Sequence, residues 1–388
     1  MTISSEDSSL YQDAPKYEHE DDNCGGKHMS THTDTKTDDA ELMNLLLGRT
    51  PVVVRGSEAH DMLRGRRVLV TGAAGSIGSE LARQLHALGA DVYFLDCDES
   101  RLHALKLSID GDGLLNDRSV VLADIRDGRR VHQVFLDVRP EIVYHAAAHK
   151  HLPLLERYPS EGVKTNVLGT ENLTRAATVT GVDRFILVST DKAADPTSVL
   201  GATKRLAECV VSSFAGGHTR FASVRFGNVL GSRGSFLDTL RHQVRTGVPV
   251  SITHPDVERF FMSVYEAVGL VIEASVMAHR GETYVLDMGQ PVKIIELVNR
   301  YADAIGAPCP EVNIVGLRDG EKLSESLFSE DEQRQTTAHD RIWRTEQPAP
   351  GFGFNRDITR LYSLADVCDD DSVFELLDRM TMRLTMAA

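Results

Sequence analysis

The chain has 388 residues, of which 41% are hydrophobic and 26% charged, as in soluble globular proteins. Its formal net charge of -15 disfavours nucleic acid and anionic lipid as general partners, and no apolar run approaches the roughly 20 residues that span a bilayer. Five scattered cysteines without a CxxC pair suit a reducing cytoplasm and argue against a disulfide framework or a zinc site. We therefore expect a cytoplasmic protein with no nucleic-acid partner, no membrane span and no bound metal.

The N-terminal region divides into two segments by composition. Residues 1-40 are polar and acidic, and they hold too few large apolar side chains to offset the entropy of ordering, which predicts a disordered acidic tail. Residues 41-65 combine a short helical pattern with a strand-like run, which predicts a linker that packs on the main domain or on a neighbouring subunit.

From Arg67 onwards, buried strands alternate with amphipathic helices. Six segments have the pattern of strands: RRVLV, DVYFLD, SVVLAD, EIVYHAAA, RFILVST and RFASVRFGNV. This alternation predicts an α/β fold, a Rossmann-type doubly wound parallel sheet over residues 66-235. We assign residues 236-345 mainly to a smaller substrate-binding region over the carboxyl ends of the strands. Residues 346-388 form a C-terminal extension, in which DVCDDDSVFELLDRM predicts one surface helix.

The turn after the first strand has the pattern of a dinucleotide site. Three glycines lie between strand and helix at GxxGxxG spacing: Gly72, Gly75 and Gly78. Glycine allows a tight turn and close approach of the backbone to a pyrophosphate, and the helix N-terminus offers free N–H groups, including those of Ser76 and Ile77. The segment therefore predicts a nicotinamide dinucleotide domain.

The ends of the next strands predict which dinucleotide binds and how. Asp96 ends the second strand, where a carboxylate hydrogen-bonds both ribose hydroxyls of NAD and repels a 2′-phosphate. We therefore predict NAD, with NADP as the less favoured alternative. Asp124 and Ile125 follow the third strand and are predicted to border the adenine. Three small residues after the fourth strand leave room for the cofactor: Ala146, Ala147 and Ala148.

Further motifs narrow the interpretation when they are taken in chain order. They are HAAAHKHLPLLE, TNVLGTENL, STDKAADPTSVLGATKRLAE, RFGNVLGSRGS, ERFFMS and GLRDGEKLSE. This series resembles the extended short-chain dehydrogenase/reductase superfamily, and more narrowly its polysaccharide-biosynthesis branch of UDP-N-acetylglucosamine 4,6-dehydratases. The resemblance runs from about Leu46 to Leu327. It implies a UDP-linked nucleotide sugar as substrate and a homo-oligomer, either a dimer or a hexamer.

The resemblance also implies a reaction and a set of catalytic residues. NAD(P)+ takes hydride from C4, water leaves across C5–C6, and the hydride returns to C6. Thr190 would orient the 4-hydroxyl, Asp191 would protonate the departing 6-hydroxyl, and Lys192 would take the C5 proton. Lys204 corresponds to the lysine of the YxxxK pair and would bind the nicotinamide ribose, but Leu200 occupies the tyrosine position. The proton of the 4-hydroxyl must then leave through Thr190, Asp191 or a water.

Other residues are assigned to the substrate. Asn228, Arg259 and Arg318 are candidates for the pyrophosphate, because a neutral donor and guanidinium groups suit its oxygens. Lys150 is predicted to line the sugar pocket, and Asn166 to support the active-site strand through its side-chain amide.

Two alternatives stay open at this point. Within the same fold, the chain would be a nucleotide-sugar epimerase or a dehydratase for another sugar. In a different class, it would be a catalytically silent NAD-binding regulatory protein, for which Leu200 is the only support. The Asp191–Lys192 pair favours dehydration, because a simple 4-epimerase needs neither an acid at C6 nor a base at C5.

Overall fold

The computed structural model describes residues 42-49, 56-346, 351 and 353-386, so the predicted acidic tail lies outside the described residues. The strands are β1 (Arg67–Thr71), β2 (Asp91–Asp96), β3 (Val120–Leu122), β4 (Ile142–His145), β5 (Arg184–Val188), β6 (Arg220–Arg225), β7 (Asn228–Leu230), β8 (Val250–Ile252), β9 (Glu258–Arg259), β10 (Phe261–Ser263), β11 (Glu282–Leu286), β12 (Val292–Lys293), β13 (Val312–Ile314), β14 (Gln335–Thr336) and β15 (Ile342–Thr345).

The helices are α1 (42-47), α2 (Ser57–Leu63), α3 (Ser76–Ala87), α4 (Glu99–Asp110), α5 (Gly128–Val138), α6 (Leu152–Arg157), α7 (Pro159–Gly162), α8 (Gly169–Thr180), α9 (Val199–Ser213), α10 (Phe236–Thr246), α11 (Val264–Met277), α12 (Ile294–Ala304), α13 (Phe354–Asp366) and α14 (Asp370–Met386). A π-helical segment, Val163–Leu168, joins α7 to α8, and a 3-10 turn, Asp191–Ala193, follows β5. Within the described part of the chain, no helix is both long and apolar enough to cross a bilayer.

The predicted parallel sheet is confirmed. Nine strands are arranged in the order β14-β15-β11-β6-β5-β4-β1-β2-β3. In this sheet, the strands β11, β6, β5, β4, β1, β2 and β3 run parallel. Strands β15 and β14 are added antiparallel at one edge. The strand order reverses at β1, which pairs with β2 on one side and β4 on the other. Ligands of such sheets bind in the crevice at this switch point, beyond the carboxyl ends of the strands.

The strands are apolar on both faces because helices cover both. Val68 and Val70 of β1 pack in a cluster with α3 and α11. Leu69, which points the other way, packs in a second cluster with α5 and α8. All three side chains are fully buried. A continuous apolar run is what a strand covered on both faces requires.

The prediction of one long sixth strand was wrong. The main-sheet strand β6 ends at Arg225, and β7 pairs with β10 in a separate two-stranded sheet. Between them, an added Cβ on Gly227 would lie 2.9 Å from the Cβ of Phe260. The chain therefore leaves the main sheet at a position that is closely packed against Phe260.

The predicted helix near the C-terminus is confirmed from Asp370 onwards, whereas the first residues of the predicted segment belong to the end of α13 and to a turn. Helix α13 ends at Asp366, Cys368 takes a left-handed φ of 55°, and α14 begins at Asp370. The apolar residues of α14 recur with helical spacing and are buried against α9: Val373, Leu376, Leu377, Met380 and Leu384. The helix therefore belongs to the core around α9.

Candidate active site

The carboxyl ends of β1, β4, β5 and β6 open into one cavity of about 610 Å³. Five cationic side chains line it: Arg101, Lys150, Lys192, Lys204 and Arg233. Of the described residues in its walls, none is Asp or Glu. In a chain with a net charge of -15, this local excess of positive charge favours an anionic ligand.

The glycine turn forms one wall of the cavity. Gly72 has a φ of 67°, and an added Cβ there would lie 2.5 Å from the nitrogen of Ala147. A Cβ on Gly78 would lie 2.0 Å from the carbonyl oxygen of Gly72. Neither position tolerates a side chain. Ser79 makes the first N–H hydrogen bond within α3, to the oxygen of Gly75 (2.9 Å).

The N–H groups that precede Ser79 in α3 are therefore available to a ligand. They belong to Ser76, Ile77 and Gly78, and all three residues line the cavity. Free N–H groups at a helix N-terminus, with the positive end of the helix dipole, suit a phosphate or pyrophosphate. This geometry fits the predicted dinucleotide role of the turn.

Asp96 supports the glycine turn from the end of β2. Its carboxylate accepts hydrogen bonds from the N–H of Ala74 (2.9 Å) and of Asp98 (3.1 Å). Each oxygen keeps a second lone pair, so the predicted bond to ribose stays compatible with this bracing. Asp124 is paired with Arg126, their closest atoms 2.6 Å apart.

The predicted cofactor residues divide between the cavity wall and its surroundings. Ala146 and Ala148 line the cavity. Five others lie outside its lining, so their contacts with a cofactor stay predictions: Gly72, Asp96, Asp124, Ile125 and Ala147.

The predicted catalytic residues after β5 form one hydrogen-bonded group. Asp191 Oδ1 accepts from the hydroxyl of Thr190 (2.9 Å) and from Nζ of Lys192 (3.0 Å). Thr190 and Lys192 line the cavity, whereas the side chain of Asp191 is fully buried behind them. Its Oδ2 is buried and has no hydrogen-bond partner among the described residues. The carboxylate of Asp191 is therefore linked to the cavity only by its hydrogen bonds with Thr190 and Lys192, among the described residues.

Lys192 has two further neighbours. Its Nζ lies 3.4 Å from Oδ1 of Asn228, a predicted substrate residue. It also lies 3.7 Å from Oε1 of Glu325, a buried carboxylate that the sequence analysis missed. The only sequence signal for Glu325 is its place in GLRDGEKLSE, where its distance from β5 along the chain hides the contact.

Lys204 and Leu200 lie one helical turn apart on α9. Nζ of Lys204 donates to the carbonyl oxygen of Val188 at 2.7 Å. Burial lowers the pKa of Lys204 to about 8, against partial opposition from the nearby Glu208 carboxylate. Leu200 lines the cavity and is 7% exposed, so an apolar side chain stands at the tyrosine position of the YxxxK pair.

We expect Lys204→Met to stabilise the cofactor-free protein at pH 7. At that pH the wild-type amine is charged in both the folded and the unfolded state, so the full cost of burying it is present. Between pH 8 and 10.5 the folded protein loses this proton before the unfolded chain does, which relieves the cost. The difference in thermal midpoint between Lys204→Met and the wild type should therefore become smaller from pH 8 to pH 10.5. A difference that stays constant, or the same trend in the surface variant Lys293→Met, would contradict the lowered pKa of Lys204.

A buried charge network below the site was not predicted. Arg225 is fully buried and donates to Glu208 from Nε (2.8 Å) and to Glu332 from Nη1 (2.6 Å). The hydroxyl of Ser189 donates to Glu208 at 2.6 Å. Because Ser189 directly precedes Thr190, the network holds the end of β5 that carries the predicted catalytic residues.

The predicted substrate residues do not all reach the cavity. Lys150 and Asn228 line it, but Arg259 and Arg318 do not. Nη2 of Arg259 lies 3.2 Å from Oε1 of Glu321, and the backbone N–H of Arg318 donates to the same carboxylate at 3.2 Å. Their predicted bonds to a substrate pyrophosphate stay predictions.

The side-chain amide of Asn166 braces a loop and a helix rather than the active-site strand that it was predicted to support. Its Oδ1 accepts from the N–H of His149 at 2.9 Å, and its Nδ2 donates to the hydroxyl of Thr203 at 3.1 Å. It thus ties the loop after β4 to α9, and this loop carries Lys150 into the cavity wall.

The family model described as "Polysaccharide biosynthesis protein" matches residues 68–347. The chain is 42% identical over 292 residues to the probable polysaccharide biosynthesis protein EpsC of Bacillus subtilis, an alignment that covers 74% of this chain and 49% of EpsC. The chain thus spans about half the length of that relative.

Two further similarities extend over most of the matched protein. The chain is 31% identical over 280 residues to a UDP-glucose 4-epimerase of Rickettsia bellii, covering 70% of this chain and 80% of that protein. Its fold is similar to the crystal structure of Pen from Bacillus thuringiensis, with a TM-score of 0.67 and 30% identity over 74% of this chain and 89% of Pen.

Proposed function

Because the chain belongs to the polysaccharide biosynthesis protein family of the extended short-chain dehydrogenases/reductases, we propose that it is a nucleotide-sugar 4,6-dehydratase. Its substrate is UDP-N-acetylglucosamine or a close relative, and its product is a UDP-4-keto-6-deoxy sugar. The observation that carries the proposal is the hydrogen-bonded Thr190–Asp191–Lys192 group, which opens into a cationic cavity beside the glycine turn.

The cavity suits a nicotinamide dinucleotide, NAD by preference. The glycine turn and the first N–H groups of α3 would hold its pyrophosphate, and Lys204 would hold the nicotinamide ribose. Asp96 supports NAD over NADP, because a carboxylate repels a 2′-phosphate. The bound dinucleotide supplies a hydride acceptor at C4 and the same hydride for C6, so it is regenerated in every turnover.

Asp191 and Lys192 would divide the proton transfers of the elimination. Nζ of Lys192 lies 3.0 Å from Oδ1 of Asp191, close enough for a proton to pass between them. Lys192 would be the base that removes the C5 proton, and Asp191 would be the acid. Asp191 is enclosed, so its proton would reach the leaving 6-hydroxyl through Thr190, whose Oγ1 lies 2.9 Å from Asp191 Oδ1.

The protons then balance over the cycle. Lys192 returns its proton to C5 as the hydride reaches C6. The proton released from the 4-hydroxyl replaces the one that Asp191 gave to the departing water. Leu200 cannot take part in these transfers, so Thr190 is the hydroxyl that would orient the 4-hydroxyl.

A nucleotide-sugar 4-epimerase is the second candidate, and the similarity to the Rickettsia bellii epimerase favours it. The Asp191–Lys192 pair weighs against it, because inversion at C4 requires no base at C5.

Mass spectrometry of a reaction with UDP-N-acetylglucosamine separates the candidates. Loss of one water from the substrate supports dehydration, whereas an isomer of unchanged mass supports epimerisation. No turnover of a panel of UDP- and dTDP-sugars, with dinucleotide binding retained, would contradict both and favour a silent dinucleotide-binding protein.

A further inference from the structure

The segment 231-235, between β7 and α10, crosses the glycine turn. The backbone N–H of Arg233 donates to the hydroxyl of Ser76 (3.0 Å), and its Nη2 donates to the carbonyl oxygen of Ala74. On the opposite side, Nζ of Lys150 donates to the carbonyl oxygen of Arg233 at 2.7 Å. One residue thus joins the turn after β1 to the loop after β4, across the cavity mouth.

Two glycines shape this crossing. Gly231 has a φ of 77° and Gly234 a φ of 66°, both in the left-handed region that favours glycine. An added Cβ on Gly234 would also lie 3.0 Å from the imidazole Cε1 of His151. The backbone therefore reverses on each side of Arg233, which turns its N–H toward Ser76.

The guanidinium of Arg233 has N–H donors that are not used within the described part of the chain. It lines the main cavity and also a second cavity of about 370 Å³, to which Arg83 and Arg101 contribute. Within the described part of the chain, its one hydrogen-bonded acceptor is the oxygen of Ala74. A guanidinium presents five N–H donors in a plane and binds phosphate oxygens in pairs.

We propose that Arg233 binds the pyrophosphate of the dinucleotide, opposite the N–H groups of α3, and that segment 231-235 must lift before the dinucleotide can leave. The inference rests on the cofactor of the proposed function and adds a residue supplied from outside the glycine turn. A cofactor that is reduced and then oxidised again within one turnover has no need to dissociate. Slow release would therefore suit this cycle.

The test is the dissociation rate of NAD, measured by displacement with excess competing nucleotide. Arg233→Ala should raise this rate about 10- to 100-fold, the loss expected for one hydrogen bond to a charged group. Arg233→Lys should fall between that variant and the wild type, because an amine keeps the charge but not the paired donors. Ser76→Ala, which removes one attachment of the segment and no charge, should raise the rate by less.

The control is Arg245→Ala, which removes an exposed arginine from α10, the helix that follows the segment. It should dissociate NAD at the wild-type rate. Equal rates in wild type, Arg233→Ala and Arg245→Ala, with unchanged thermal midpoints, would overturn the inference. The readout needs no sugar substrate, so failure of the dehydratase proposal would leave it intact. A wild-type protein that binds no dinucleotide would overturn both.

Discussion

Lys192→Ala is expected to abolish formation of the dehydrated sugar, with a loss of about 100- to 10,000-fold in rate, the usual contribution of a positioned base. The amine of Lys192 lies between Asp191 and Asn228 at the cavity wall, and no other lysine contacts Asp191 among the described residues. Oxidation at C4 does not need this base. We therefore expect the variant, mixed with substrate and NAD, to accumulate reduced cofactor, which absorbance near the reduced-nicotinamide band would detect.

The matched control is Lys293→Ala, which removes a lysine whose side chain is 45% exposed and paired with Asp256. It should turn over at the wild-type rate. Dehydration by Lys192→Ala at a rate near that of the control would remove Lys192 from its proposed role. Loss of both dehydration and cofactor reduction would instead indicate that Lys192 acts in substrate binding.

Gly78→Ala is expected to eliminate dinucleotide binding and to destabilise the fold. Its Cβ would lie 2.0 Å from the carbonyl oxygen of Gly72. The backbone fixes the position of this Cβ, and the oxygen is itself a backbone atom, so no side-chain rotation relieves the clash. The glycine turn must then move away from α3, which disrupts the N–H groups that would hold the pyrophosphate. Overpacking of this kind costs about 1–3 kcal/mol, measurable by chemical unfolding, and titration calorimetry with NAD would report the loss of binding.

Gly217→Ala is the matched control, because an added Cβ there meets nothing within 4 Å. It should keep wild-type stability and NAD affinity. Normal NAD affinity in Gly78→Ala would show that the turn relaxes around the methyl group and that the dinucleotide does not depend on close packing there.

Much of the fold was predictable because the information is local. A strand covered on both faces requires a continuous apolar run, and a surface helix requires a helical stripe; both patterns occur within a few residues. The sixth strand was predicted too long because pairing between distant segments decided its end: β7 pairs with β10 and not with the main sheet. The packing of α14 against α9 likewise joins segments far apart in sequence.

The sequence by itself determined the glycine turn, the Thr190–Asp191–Lys192 run and the replacement of tyrosine by Leu200, because each is a feature of adjacent residues. Only the tertiary structure decided what surrounds them. Arg233 meets Ser76 across 157 positions, and Arg225 meets Glu332 across 107. Contacts between residues so far apart follow no period along the chain. The crossing of segment 231-235 over the glycine turn and the charge network around Arg225 therefore appear only when the sheet brings the ends of its strands together.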